Sequence, residues 1–262
     1  MTRRRLDAEL VRRKLVESRA EAKRAIDAGL VRVGTNTAPK ASTLVAPEEP
    51  VHLVANPEPF VSRAGRKLDA ALQAFNIDVK GARAIDVGAS TGGFTDCLLQ
   101  RGTLSVCALD VGHGQLHWRI RSDDRVTVVE RTNIRTADPV SFGSPFEIIV
   151  SDLSFISLRT VRRQLADLGT QDSTWILLIK PQFEAGRSRV GRGGIVRDPA
   201  VRRDVLAEVL ASFDEIGLGC VGLIESPITG TTGNVEYVAC FRRGRGTVTS
   251  DTIESTLSGK SQ

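Results

Sequence analysis

From residue 82 onward the chain alternates short apolar runs with stretches of helical pattern, and this alternation limits the folds open to it. Ala82-Arg-Ala-Ile-Asp-Val-Gly88 has the length and content of a buried strand, and Phe94 to Arg101 reads as a helix stopped by Gly102. Ser105 to Asp110, Val126 to Glu130, Phe146 to Ser151 and Trp175 to Ile179 are further apolar runs of strand length. Helical patterns fall at 115–122, 157–168 and 199–216, followed by strand-like Gly219 to Glu225 and Asn234 to Phe241. Strands that alternate with helices form a parallel, doubly wound α/β sheet, because each crossover needs a helix to cover one face.

The first quarter of the chain differs. Leu6, Leu10, Val11 and Leu15 mark one helix, and Ser18 with Glu21 three residues on caps a second that ends at Gly29. Leu30-Val-Arg-Val33 and Val51-His-Leu-Val54 read as short strands separated by a polar stretch, 35–50. Asn56-Pro-Glu-Pro-Phe60 is held extended by its prolines and reads as a linker. The expected layout is a small α/β module at 1–55, a linker at 56–61, a larger domain at 62–245 and a tail at 246–262.

Charge follows the same division. Residues 1–67 hold 14 Lys and Arg against 8 Asp and Glu, whereas the remaining 22 and 23 nearly cancel. A basic excess confined to one segment suits a polyanion; the bland reading is a solubilising arm. No apolar run reaches the ~18 residues of a membrane helix. Three arginines at the start have no apolar segment behind them, so a secretory signal is not expected. Cys97, Cys107, Cys220 and Cys240 lack metal or disulfide spacing. A cytoplasmic protein is the expectation.

Asp86-Val-Gly-Ala-Ser-Thr-Gly-Gly-Phe-Thr95 joins the first strand of the larger domain to its first helix. Glycines there permit a tight turn and close approach of a ligand to free helix N–H groups. It is neither G-x-G-x-x-G nor a P-loop. Gly88-Ala-Ser-Thr-Gly92 matches the nucleophile elbow of hydrolases, but that triad needs a late histidine. The histidines are His52, His113 and His117, so the reading fails. A nucleoside-type cofactor remains. Asp110 ends the second strand, where an acid accepts ribose hydroxyls. Two acids at successive strand ends around such a turn suit S-adenosylmethionine better than a dinucleotide, since no pyrophosphate must be placed. An ordinary βαβ turn is the competing reading.

Asp152 follows Ile148-Ile-Val-Ser151 and Lys180 follows Ile176-Leu-Leu-Ile179, so both stand at carboxyl ends of strands, over the crevice that binds ligands in such sheets. Glu236 interrupts a late strand. Carboxylates and a partly desolvated lysine there orient a hydroxyl and take its proton, or they form structural ion pairs. His113 and His117, four apart, lack a third ligand and read as helix surface or pocket wall. Phe155 is placed to stack on an extruded base or to join the core. Gly186 to Gly194, with Arg187 and Arg189, is a basic loop suited to phosphate contact or to solvent.

Arg5-Leu-Asp, Ser18-Arg-x-x-Ala and Gly29-Leu-Val-Arg-Val33 resemble the S4 RNA-binding domain. Asp86 to Thr95, Asp152-Leu-Ser-Phe-Ile-Ser157, Lys180-Pro-Gln-Phe-Glu184 and Gly233-Asn-Val-Glu-Tyr237 resemble the TlyA family of ribosomal RNA methyltransferases, often labelled hemolysin A. The larger domain is similar to the FtsJ/RrmJ 2′-O-methyltransferases. The resemblance implies a Rossmann-like class I methyltransferase fold, with a mostly parallel seven-stranded sheet behind an S4-like module.

Carried over by motif, a Lys-Asp-Lys-Glu tetrad falls on Lys67, Asp152, Lys180 and Glu236, with Lys180 as base or orienting group. S-adenosylmethionine is then held by Asp86, Gly88, Ser90, Thr91, Gly92, Gly93, Phe94, Thr95, Asp110, Asn133 and Asp152. The resemblance implies 2′-O-methylation of cytidine in ribosomal RNA, on the large subunit and, in longer members, the small. RNA contacts are expected from Arg3, Arg4, Arg5, Arg19 and Lys40 in the basic module. Arg63, Arg66, Arg131, Arg135, Phe155, Arg187 and Arg189 extend them in the larger domain. A monomer without metal is expected, with ribosomal subunits as partner and no membrane. A membrane-active hemolysin and an RNA-binding protein with a silent pocket are the alternatives.

Overall fold

The computed structural model describes residues 3–16, 18–27, 29–38, 40–54 and 59–259. The chain divides into two compact units, Met1–Pro59 and Phe60–Gln262. Residues 55–58, which include the first half of the expected linker, and the last three residues of the expected tail lie outside the described residues.

The first unit runs β1 (Arg4–Arg5), α1 (Leu6–Arg12), α2 (Arg19–Asp27), β2 (Val31–Val33), β3 (Asn36–Thr37), β4 (Leu44–Val45) and β5 (Val51–Leu53). β2 pairs antiparallel with β3 and β5, and β1 with β4. Leu6, Leu10, Ala22, Ile26, Val31, Val45 and Val51 form its core. The Ser18 Oγ accepts the Glu21 N–H at 3.1 Å, and Gly29 ends α2 at φ +72°. The polar stretch 35–50 is not plain loop, since it supplies β3 and β4.

Two acids are buried in this unit, Asp7 at 5% and Glu9 at 1% exposure. Asp7 holds Arg5 at 3.0 Å and Arg19 at 2.8 Å, and Glu9 holds Arg12 at 2.6 Å and Arg13 at 2.7 Å. Hydrogen bonds from Arg5 and from Arg12 draw the two carboxyls down to about 2. Unfolded, they ionise near ~4. Their stabilisation is therefore present above that value and is lost as pH falls toward 2. Hydrogen-exchange protection of α1 and α2 amides, corrected for intrinsic rates, should fall between pH 5 and 2, and Glu9→Gln should flatten the fall.

The second unit comprises α3 (Gly65–Ala74), β6 (Arg83–Val87), α4 (Gly93–Gln100), β7 (Ser105–Leu109), α5 (Trp118–Arg121), β8 (Val126–Val129), β9 (Phe146–Ser151), α6 (Leu158–Ala166), β10 (Gly169–Ile179), α7 (Pro181–Glu184), α8 (Pro199–Asp214), β11 (Leu218–Glu225), β12 (Tyr237–Arg243) and α9 (Ser250–Leu257). Its seven-stranded sheet has the order β11-β12-β10-β9-β6-β7-β8, with β12 antiparallel to both neighbours. The middles of the central strands are mostly apolar because both faces are covered. In β10, Trp175, Leu177 and Ile179 enter one core while Ile176 and Leu178 enter the other.

The chain reverses its direction of winding between β6 and β9, which are parallel neighbours. The crevice at their carboxyl ends is where such sheets take ligands. Gly88 follows β6 and Asp152 follows β9 at that point.

Several stretches differ from the sequence expectations, α3 among them, since no helix was expected over Gly65–Ala74. The helix expected at 115–122 shrinks to α5, because Gly114 turns at φ +68° and His117 donates its N–H to the Thr91 carbonyl before the helix begins. β10 starts six residues before Trp175. β12 begins at Tyr237, so Glu236 precedes the strand rather than interrupting it. Residues 246–262 contain α9, capped reciprocally by Thr249 and Thr252 and anchored by buried Ile253.

Candidate active site

The turn after β6 uses positive φ at Gly88 (+91°), Ser90 (+48°) and Gly92 (+94°). A Cβ on Gly88 would lie 3.1 Å from the Asp152 carbonyl oxygen, so the two strand ends meet without room for a side chain. Asp110 braces the turn from β7, accepting the Ser90 N–H at 2.7 Å and the Gly112 N–H at 2.6 Å. Two lobes open on the turn and share Gly88, Ser90, Asp152 and Ser154. One, of about 410 Å³, is walled by Val111, Ile134, Leu153 and Ile156, with Asp110, Gln115 and Asn133 as polar groups. The other, of about 280 Å³, is lined by Ser62, Arg63, Lys67, Thr91, Gly93, Phe94, Lys180, Gly230, Thr231 and Glu236.

In the smaller lobe four charged side chains from four elements form one row. Lys67 on α3 donates to Glu236 at 2.5 Å and lies 3.7 Å from Asp152. Asp152 in turn sits 2.6 Å from the Lys180 Nζ. Lys180 also donates to the Ser154 Oγ at 2.8 Å. Lys67, Lys180 and Glu236 are buried, at 6%, 8% and 3% exposure. Buried charges persist when each is paired, and this row alternates in sign from end to end. Placed beside a cavity, such a row can hold an acceptor hydroxyl and move its proton.

The residues present fit S-adenosylmethionine. The larger lobe offers apolar walls for a purine and an acid for ribose hydroxyls, and two carboxylates beside the turn suit a cationic ligand.

Not every residue expected at the cofactor reaches the cavity. Gly88, Ser90, Thr91, Gly93 and Phe94 line it, as do Asp110, Asn133 and Asp152. Asp86, Gly92 and Thr95 do not. Asp86 is fully buried, and one of its oxygens accepts both the N–H and the hydroxyl of Thr95, at 3.0 and 2.7 Å. It therefore fixes the start of α4 from behind the turn. Gly92 faces Leu116 and Ile120.

The second Asp86 oxygen has no partner among the described residues. Burial pushes this carboxyl up to about 7, with the charges of Asp152 and Asp110 adding to the effect and the Thr95 bonds opposing it. Unfolded it ionises near ~3.9. The folded chain thus binds the extra proton, and this group's contribution makes the second unit less stable as pH rises from about 4 to 7. Thermal midpoints across that window should fall with pH in the wild type and fall less in Asp86→Asn.

The expected RNA contacts differ in exposure and in the partners they hold. Arg3, Arg4, Lys40, Arg63, Arg66, Arg131, Arg135 and Arg187 are exposed. Arg5 and Arg19 are exposed but anchored on Asp7. Arg189 is engaged too: it donates to both oxygens of Glu208, at 2.8 and 3.0 Å, and to the Ala185 carbonyl, so it braces its loop on α8. Phe155 is not core. It stands 91% exposed at φ +65°, with its ring 5.3 Å from Phe183, at the wall of the larger lobe.

His113 pairs with Glu130 and the His117 ring accepts the Arg119 N–H, so the two histidines serve separate partners. Among the described residues no group of three or more His, Cys, Asp or Glu is placed to hold a metal. Ser62, Gln115, Ser154 and Thr231 also line the site, and sequence reasoning passed them over. Ser154 had a signal, its place in Asp152-Leu-Ser-Phe155; the others had none.

Comparison with known proteins agrees with this geometry. The family model described as FtsJ-like methyltransferase matches residues 60–243, and that of the S4 domain matches residues 4–51. The chain is 46% identical over 241 residues to the 16S/23S rRNA (cytidine-2′-O)-methyltransferase TlyA of Mycobacterium tuberculosis, covering 92% of this chain and 90% of the relative. It is 39% identical to Hemolysin A of Brachyspira hyodysenteriae, covering 90% and 99%. A solved structure of a candidate hemolysin from Streptococcus thermophilus superposes with a TM-score of 0.77 at 37% identity, covering 99% and 96%. Among the described residues no helix is long and apolar enough to cross a membrane.

Proposed function

Because the chain belongs to the TlyA family of FtsJ-like methyltransferases with an S4 domain, we propose that it transfers a methyl group from S-adenosylmethionine to the 2′-hydroxyl of a cytidine in ribosomal RNA. The observation that carries the reading is the buried row Glu236–Lys67–Asp152–Lys180 opening beside the two-lobed cleft. We take the large subunit as substrate and the small subunit as a second one. The S4-like module, 1–55, docks RNA; the segment 62–245 carries out transfer. The reading requires neither a metal nor a second copy of the chain, and places the protein in the cytoplasm with its ribosomal substrate.

S-adenosylmethionine, when bound, supplies an electrophilic methyl on a sulfonium, so the remaining tasks are to orient an oxygen and remove its proton. Asp110 and Asn133 would hold the nucleoside end in the larger lobe, and the 88–94 turn would hold the amino-acid end. Asp152 stands where the lobes meet and fixes the Lys180 amine at 2.6 Å. Lys180 hydrogen-bonds the ribose hydroxyl and takes its proton during attack. Lys67, tied to Glu236, keeps the far side of Asp152 neutralised. Phe155 stacks on the extruded base, and Arg63, Arg131, Arg135 and Arg187 contact phosphates.

The test is transfer of tritiated methyl from S-adenosylmethionine to purified large subunits, small subunits and free ribosomal RNA, with the labelled nucleoside identified after digestion. Label as 2′-O-methylcytidine is the expected result. Label on a base would overturn the 2′-hydroxyl as acceptor, and none on any of the three despite measured cofactor binding would overturn the reading and leave an RNA-binding protein with a silent pocket.

A further inference from the structure

A lysine amine offers tetrahedral positions around Nζ: three donors when charged, two donors and one lone pair when neutral. Lys180 is 8% exposed, and two oxygens approach its Nζ from one loop. Asp152 Oδ1 lies at 2.6 Å and Ser154 Oγ at 2.8 Å. The Ser154 contact has hydrogen-bond geometry, whereas the Asp152 contact is an ion pair whose Oδ1 has no hydrogen-bond partner among the described residues, so Ser154 supplies the directional restraint on the amine. With Asp152 alone, Nζ would rotate about that one contact, and the lone pair would sweep a cone. Ser154 also lines both lobes of the cleft, so its hydroxyl stands at the junction where a transferred group must pass.

We propose that Ser154 is a positioning residue whose hydroxyl, together with Asp152, sets the rotation of the Lys180 amine and aims its remaining valence at the acceptor ribose hydroxyl. The inference rests on the proposed role of Lys180. Nothing covalent is asked of Ser154, which keeps its own proton throughout. Its contribution is orientation, and misplaced catalytic groups lose rate rather than affinity.

Ser154→Ala, Ser154→Thr and Lys180→Ala are measured beside the wild type in single-turnover methyl transfer across pH 6–9, with cofactor affinity followed separately by calorimetry. Ser154→Ala should lose about tenfold in kcat, with KM for RNA and cofactor affinity within about twofold, and should displace the midpoint of the pH–rate profile. Ser154→Thr, which keeps a hydroxyl at the same carbon, should recover most of the rate and the wild-type profile.

Wild-type kcat and profile in Ser154→Ala, with Lys180→Ala inactive, would overturn the Ser154 assignment alone. A loss confined to cofactor affinity would also overturn it, making Ser154 a cofactor contact. Wild-type rate in Lys180→Ala would overturn the reading of Lys180, and this inference with it.

Discussion

Lys180→Ala should lose about 10²–10⁴-fold in the rate of methyl transfer, the usual contribution of a positioned acid–base group. Cofactor affinity should be nearly unchanged, because Asp110 and Asn133, the residues proposed to hold the nucleoside end, line the other lobe. The loss belongs in kcat, since the amine acts on the hydroxyl as it reacts and adds little to binding of a large RNA. Lys180→Arg separates the two roles open to this side chain. A guanidinium keeps its charge and its donors but cannot accept a proton. Partial activity in Lys180→Arg would mean that Lys180 orients the hydroxyl; inactivity equal to that of alanine would mean that it removes the proton. Full activity in Lys180→Ala, read by tritium incorporation, would remove Lys180 from the chemistry.

The second large effect is on stability. Glu236 is 3% exposed, and its carboxylate holds the Lys67 ammonium at 2.5 Å. Glu236→Ala leaves that ammonium buried, with Asp152 at 3.7 Å as its remaining ionic partner. Breaking one side of a buried pair costs about 3–5 kcal/mol, because the survivor keeps its desolvation penalty. In a unit of this size that lowers the thermal midpoint by roughly 10 °C. The double variant Lys67→Met with Glu236→Leu removes both charges and should recover most of the lost stability while remaining inactive. An unchanged midpoint in Glu236→Ala would show that water reaches the pair. Recovery of activity in the double variant would show that the pair is structural only.

Much of the fold was legible because its signals are local. A run such as Ile148-Ile-Val150 is apolar at every position, as the centre of a strand covered on both faces must be, and β9 occupies it. Ser18 and Gly29 punctuate α2 through bonds and dihedrals that involve a few neighbouring residues. α3 lacks such punctuation: Leu68, Ala71 and Leu72 show helical spacing, but its N-cap, Ala64, offers no side-chain cap and Phe75 ends it without a glycine. α9 was missed because it carries a single buried anchor, Ile253, among polar residues.

The candidate site was legible in part. Asp152 and Lys180 each end an apolar strand run, and a polar residue there stands over the crevice in any doubly wound sheet. Lys67 carried no such mark and was reached only through family resemblance. Asp86 looked like a cofactor contact because it ends a strand beside the glycine turn, yet its side chain turns inward to Thr95. The direction a side chain takes at the last strand position is decided by packing, which strand pattern does not record.

The sequence by itself determined the alternation of strands and helices, the glycine turn after β6 and the polar groups at strand ends. Each depends on periodicity or on backbone dihedrals within a few residues. Tertiary structure alone decided which charges meet. Lys67 and Glu236 are 169 positions apart and pair because α3 and the start of β12 converge beside the sheet. The same convergence placed Ser154 on Lys180, tied Arg189 to Glu208 and hid Asp86 behind the turn. Short-range preferences set the elements; burial, which makes an unpaired charge costly, selected the partners across the chain.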